Sequence, residues 1–212
     1  MNNPKDIVRE GYDKVSFAYR QDELDKSSET YQLYKMWVDQ LSKPLEAGCS
    51  VLDLGCGCGV PTAQLLARQF RVTGVDISPV QIERARKLVP EAAFIRGDMC
   101  ELEFKPDEFN AIVCLYAIIH VPLAEQRGLL TKIGSWLKLG SFLLLLAGHR
   151  EWTGEETNWL GVAGSSMYWS HADRDTYIEW LKESGFLIVW DRFVPEGDGG
   201  HTLVLSRKGG NR

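Results

Sequence analysis

The sequence predicts an α/β protein with a doubly wound, mostly parallel sheet, helices before it and an antiparallel hairpin after it. Three observations lead there. Short apolar runs alternate with helical stripes between residues 50 and 147, the pattern of a parallel sheet covered on both faces. A glycine-alternating turn, Gly55-Cys56-Gly57-Cys58-Gly59, directly follows the first run, Val51-Leu52-Asp53-Leu54. A single acid, Asp76, closes the second run 21 residues after Gly55.

Composition sets the frame. At 212 residues and 44% hydrophobic, the chain suits one domain with a substantial core. Its 24 basic and 29 acidic residues give a net charge of −5. With no Lys/Arg run, this argues against a nucleic-acid backbone as the main partner. The five cysteines, Cys49, Cys56, Cys58, Cys100 and Cys114, are odd in number and suit a reducing cytoplasm. Their spacing lacks a histidine and a zinc-ligand pattern, so no metal site is expected. No charged-then-apolar leader is visible, and the most apolar run, residues 142–147, is far too short to span a membrane.

In chain order, residues 4–42 read as helical. One stripe carries Ile7, Val8, Tyr12, Val15 and Tyr19, and a second carries Tyr31, Tyr34, Trp37, Val38 and Leu41. Residues 1–44 are therefore expected to form a helical cap on a main domain of residues 45–212. Pro44 and Gly48 punctuate before the strand at 50–54. A helix over 61–69 follows, opened by Pro61 and Thr62. Next come a strand at 71–76 and a helix at 79–88, with Ser78 as N-cap and Pro79 at the first helical position. A strand at 92–95 leads into the Gly97-Asp98 turn. A strand at 110–116, a helix at 123–137 and a strand at 141–147 complete the alternation. Residues 148–172 contain Trp152, Trp159 and Trp169 without clear period and read as an insertion. A helix at 173–184, with Asp173 as N-cap and Gly185 beyond its end, precedes strands at 186–194 and 201–207. Gly209 to Arg212 reads as a frayed tail.

Ligands in such sheets bind outside the carboxyl ends of the strands. Asp53, Asp76, Asp98 and residues 115–120 all fall there. The dinucleotide fingerprint would place its third glycine at position 60, which is Val60. Asp53 would repel a pyrophosphate and attract an ammonium or sulfonium. No phosphate-binding G-x-x-x-x-G-K-[ST] motif is present. Asp76 stands where an acid accepts hydrogen bonds from ribose hydroxyls. The expected ligand is an adenosine-type nucleoside with a cationic, phosphate-free tail.

These residues, with Gly74-Val75-Asp76-Ile77-Ser78, Arg96-Gly97-Asp98-Met99, Phe109 to Cys114 and Leu137 to Ser141, resemble the class I S-adenosylmethionine-dependent methyltransferases. The resemblance covers residues 45–147. It implies a Rossmann-like, seven-stranded sheet that binds S-adenosyl-L-methionine and releases S-adenosyl-L-homocysteine. It also implies in-line transfer of the methyl group to a small-molecule acceptor, without nucleic acid or membrane. By resemblance, Asp53, Gly55, Cys56 and Gly57 would hold the methionine part, and Asp76 the ribose. Ile77 and Met99 would flank the adenine, and Asp98 would accept from its amine. Leu115 would lie near the sulfonium. Tyr19 would cap the cofactor from the segment Tyr12-Asp13…Tyr19, although both tyrosines also suit plain packing on the sheet. His120 is the candidate base, with pocket shaping or helix capping as its other roles. His149 is a lesser candidate, and His171 and His201 read as structural. The clustered tryptophans suit an apolar, aromatic or cationic amine acceptor, or the anchoring of a lid at 148–172. Rival functions are methylation of RNA or protein, a non-catalytic cofactor-binding sensor or partner subunit, and an NAD-dependent oxidoreductase.

Overall fold

The computed structural model describes residues 3–210; residues 211 and 212 of the expected tail lie outside them. The chain opens with α1 (Pro4–Tyr19) and α2 (Glu29–Ser42). The alternating core then runs β1 (Ser50–Leu54), α3 (Thr62–Leu66), β2 (Arg71–Asp76), α4 (Pro79–Leu88), β3 (Ala93–Arg96) and β4 (Phe109–Cys114). It continues with α5 (Leu123–Trp136) and β5 (Leu137–Gly148). A small hairpin, β6 (Trp152–Thr157) and β7 (Ser166–His171), precedes α6 (Arg174–Glu183), β8 (Phe186–Glu196) and β9 (Gly199–Lys208). The main sheet has seven strands in the order β3-β2-β1-β4-β5-β9-β8. The first five are parallel, and β9 joins β5 and β8 antiparallel.

The apolar runs explain the layering. Val51, Leu52 and Leu54 of β1 are fully buried, as a central parallel strand with both faces covered requires. One face of the sheet packs under α2, α3 and α4, and the other under α5 and α6. Ser78 caps α4, its hydroxyl accepting from the Gln81 N–H, and Asp173 caps α6 in the same way from Thr176. Gly185 adopts φ +84° beyond the end of α6. No helix among the described residues is long and apolar enough to cross a membrane.

Several boundaries differ from the sequence reading. The helical cap breaks at residues 20–28: Arg20 is extended, and Ser28 starts α2 by accepting from Tyr31. The helix expected over 61–69 stops at Leu66, because the Gln69 carbonyl turns back to accept from Gly48 and feeds the chain into β2. Strand β4 ends at Cys114 rather than 116, since Tyr116 takes φ +57°. Strand β5 starts four residues early, at Leu137, pairing with Phe109 across an irregularity. Residues 148–172 contain the β6–β7 hairpin, which the mostly exposed, polar β6 segment conceals in the sequence.

Helix α1 lies between α4 and β7. Arg84 of α4, only 6% exposed, clasps the end of α1. One terminal nitrogen donates to the Ser16 carbonyl and hydroxyl, both at 2.7 Å, and the other to the Arg20 carbonyl at 2.7 Å. The same guanidinium pairs with Asp22 at 2.6 Å. A cation there also complements the negative end of the helix dipole. Ser78 donates to Asp13, and Ser16 donates to Gln81 at 3.0 Å, extending the polar seam.

On its other side, α1 meets β7 backbone at Gly11. A Cβ on Gly11 would lie 2.2 Å from the Ser166 carbonyl oxygen. We expect Gly11→Ala to destabilise the protein by about 1–3 kcal/mol through overpacking, despite a helix-propensity gain of about 1 kcal/mol. Urea denaturation would measure this, and a gain in stability would show that α1 can shift away from β7 at no cost.

Candidate functional site

The carboxyl ends of β1, β2 and β4 open into a cavity of about 660 Å³, roofed by α1. Leu54 passes the chain to Gly55, where φ is +73° and a Cβ would lie 2.2 Å from the Ala117 Cβ. Only glycine fits both conditions. Gly57, at φ +54°, has nothing within 4 Å of its Cβ position, which leaves backbone open to a ligand.

Asp76 stitches the floor together. One carboxylate oxygen accepts from the Gly57 N–H and the other from the Ser78 N–H, both at 2.9 Å. Burial pushes its pKa up to about 6, against the pull of those N–H groups. Asp53 is 2% exposed, and its Oδ2 has no hydrogen-bond partner among the described residues. Burial, then the neighbouring Asp76, raises its pKa to about 7. A buried carboxylate with a free oxygen is costly unless a cation or donor meets it. The two acids therefore fit a ligand with a cationic tail and poorly fit a pyrophosphate.

At the other end of the cavity, Asp98 accepts from the Cys100 N–H at 2.8 Å. Its second oxygen lies 2.6 Å from the Lys5 ammonium of α1, which also pairs with Glu125. The oxygen expected to face an adenine amine thus already holds a lysine.

His120 follows β4 and is 8% exposed. Its Nδ1 lies 2.8 Å from the Tyr168 carbonyl, an acceptor only, so Nδ1 carries the proton. Its Nε2 is then a lone pair, 3.0 Å from the Tyr12 hydroxyl, which donates to it. Burial lowers the His120 pKa to about 4, so the ring is neutral at pH 7. Burial also raises the Tyr12 pKa well above 10 and keeps its hydroxyl protonated.

Of the sequence-derived residues, Tyr19, Gly55, Gly57, Asp76, Ile77, Asp98, Met99, Leu115 and His120 line this cavity. Asp53 and Cys56 line an adjoining one, which shares Tyr19, Gly55, Gly57 and Leu115. His149 stands apart, its Nδ1 3.0 Å from the Thr202 hydroxyl. Trp159 and Trp169 are not among the lining residues; they pack behind Tyr12, Tyr19 and His120 at ring-centroid distances of 5.5–5.7 Å. Lys5, Tyr12, Arg20 and Tyr116 also line the cavities and were not singled out for these roles. The seven-residue spacing of Tyr12 and Tyr19 places both on one helix face, a signal that covers Tyr12. Tyr116 lies in the 115–120 stretch expected at the strand ends, whereas nothing local marks Lys5 or Arg20.

The profile of the family described as Methyltransferase domain matches residues 51–140. An uncharacterized methyltransferase of Synechocystis sp. is 31% identical over 154 residues, covering 68% of this chain and 70% of that protein. The chain belongs to the methyltransferase domain family. The matched domain segment runs from β1 into β5 and holds the glycine turn and the three acids. A trans-aconitate 2-methyltransferase of Enterobacter sp. is 43% identical over 96 residues, 44% of this chain. The chain spans only 36% of that relative's length. Among solved structures, the magnesium protoporphyrin IX methyltransferase of Synechocystis, with S-adenosylmethionine bound, superposes with a TM-score of 0.73 at 18% identity over 98% of each chain. The cyclase SpnF superposes equally well, with a TM-score of 0.73 at 19% identity over 98% of this chain and 97% of that one. At such identities these two show a shared methyltransferase-domain fold.

The raised acids set a pH dependence. Unfolded aspartates titrate near about 3.9, so from about pH 4 to 7 the folded state binds more protons than the unfolded one. The contribution of these two acids to the stability of the ligand-free protein therefore falls as pH rises across that window; His120 and His171, whose pKa burial lowers, act in the opposite sense up to about pH 6.5. Above the histidine range we expect urea midpoints that decline from pH 6.5 to pH 8, and a shallower decline in Asp53→Asn. An unchanged slope in that variant would remove Asp53 from the linkage.

Proposed function

We propose that this protein is an S-adenosylmethionine-dependent methyltransferase acting on a small-molecule acceptor. The observation that carries the proposal is Asp53: a buried carboxylate with a free oxygen beside an open glycine turn, next to a cavity floored by Asp76. S-adenosylmethionine supplies a sulfonium-bound methyl group that is already electrophilic. The protein's task is then mainly to bind, orient and exclude water, and orientation contributes about 7–11 kcal/mol in favourable cases.

Asp76 would hold the ribose, with Ile77 and Met99 flanking the base. Gly55, Cys56 and Gly57 would pass the amino-acid tail into the second cavity. There Asp53 would face its ammonium. The Arg20 guanidinium, stacked over the Tyr19 and Tyr34 rings at 5.1 and 5.5 Å, would face its carboxylate. Lys5 would yield Asp98 when a base enters. Leu115 and Tyr19 would flank the reacting end. The Nε2 lone pair of His120 would accept the hydrogen bond of the acceptor's O–H or N–H in place of Tyr12, and take up its proton as charge develops. Residues 1–44 and 148–172 would serve as lid, with the tryptophans backing the lining aromatics. Support for a small acceptor comes from relatives and neighbours whose names specify trans-aconitate or protoporphyrin, and from the acidic balance. The five unpaired thiols suit a reducing cytoplasm. The likeness to a cyclase favours one second reading, in which the same cofactor site serves another reaction.

Calorimetric titration with S-adenosylmethionine, beside NADH, tests the proposal. Saturable binding of the sulfonium ligand alone is expected, and binding of NADH alone would overturn it. Asp76→Ala should weaken that binding at least about tenfold with the fold intact by circular dichroism; wild-type affinity would remove Asp76 from the site. With an acceptor found by screening amines, phenols and thiols, His120→Asn should lower turnover about a hundredfold and leave cofactor affinity unchanged. Equal turnover would reduce His120 to a structural role.

A further inference from the structure

A second group of side chains stands behind the far wall of the cavity and reaches it through Tyr116; the roles given above to the cofactor site do not use it. Tyr116 follows β4 and lines the main cavity. Its φ of +57° is a costly conformation for a bulky residue, of the kind that collects at functional sites. Its ring meets His201 edge-on at 5.2 Å and lies 6.2 Å from both Tyr34 and Trp37. The β8–β9 hairpin brings a carboxylate to the same place. His201 pairs with Gly148, the last residue of β5, so Pro195 to Gly200 overhang the carboxyl end of the sheet. From that overhang, Glu196 places an oxygen 3.0 Å from His201 Nδ1. Among the described residues, no lysine or arginine lies within ion-pair distance of Glu196. Burial first, and the Glu196 charge after it, raise the pKa of Tyr19, Tyr34 and Tyr116, while the Arg20 charge opposes at all three.

We propose that Glu196 and Tyr116 form an acceptor subsite for a cationic amine carried by the methyl acceptor. A carboxylate can only accept hydrogen bonds, and phenol rings offer their negative faces to a cation. Together they favour an ammonium over a neutral or anionic group at this rim. Arg20 opposes Glu196 at these phenols, but its guanidinium is stacked on Tyr19 and Tyr34 and lines the second cavity, beside Asp53, and not the main one, which places the ammonium on the Tyr116 side. The inference rests on the methyl-transfer reading above and specifies its acceptor.

Three phenols that differ only in their tail test it: tyramine, para-ethylphenol and para-hydroxyphenylpropionate. Each is titrated into the full chain saturated with S-adenosylhomocysteine, with binding followed calorimetrically. Tyramine should bind at least about tenfold tighter than the other two. Glu196→Gln should abolish that preference while S-adenosylhomocysteine affinity stays unchanged. Glu196→Lys should turn the preference toward the carboxylate. Equal affinities, a preference for the carboxylate in the parent chain, or an amine preference that survives Glu196→Gln would overturn the subsite alone. Failure of the parent chain to bind S-adenosylhomocysteine would overturn the methyl-transfer reading and the subsite with it.

Discussion

The cavity has a roof because of Arg84. Its guanidinium sits where α1 ends, satisfies the Arg20 carbonyl that the helix leaves open, and adds a second donor to the Ser16 carbonyl, which also accepts from the Arg20 N–H. A buried arginine is tolerable only with such a full set of partners. The consequence is positional. With its end fixed on α4, α1 presents Tyr12 and Tyr19 downward and Lys5 toward Asp98. The seam between α1 and α4 is polar along Asp13–Ser78, Ser16–Gln81 and Ser16–Arg84. Such a seam specifies one docking register more strictly than an apolar stripe, because each donor must find its own acceptor.

Beneath that roof the electrostatics are deliberate in sign. Two carboxylates lie at the ends of adjacent parallel strands, where burial and mutual repulsion disfavour both charges at once. Asp76 is partly relieved by backbone N–H groups and Asp53 is not. The difference separates their surroundings: Asp76 is tied to the turn through the Gly57 and Ser78 N–H groups, whereas Asp53 keeps a buried oxygen without a hydrogen-bond partner among the described residues. His120 is arranged in the opposite sense. Its neutral ring is locked in one tautomer by a carbonyl on β7, so the small hairpin, distant in sequence, decides which nitrogen faces the cavity.

Most of the fold was legible because its signals are local. The glycine turn, the acid after β2 and the caps at Ser78 and Asp173 each act within a few residues, and each lies where the sequence places it. The residues missed are those whose role depends on a distant partner. Lys5 becomes part of the site only when α1 crosses to Asp98. Arg20 does so only when the helix stops at Tyr19, and Arg84 imposes that stop from 64 residues away. The β6–β7 hairpin escaped notice because Thr153 to Thr157 is exposed on most sides and carries no alternating apolar pattern. The tryptophans signalled aromatic density correctly, but sequence does not distinguish a wall from the layer behind it.

The Lys5 bridge to Asp98 and Glu125 has a consequence for traffic through the site. It spans the Asp98 end of the cavity and ties the start of α1 to the sheet, opposite the arginine clasp. The Lys5–Glu125 arm is the more exposed and weakens as mobile ions screen it, whereas the Lys5–Asp98 arm, with side chains 18% and 13% exposed, is screened much less. The roof is therefore tied down at both ends of α1 by a largely buried cation. Entry at the Asp98 end therefore means parting a shielded ion pair, a barrier that added salt lowers little.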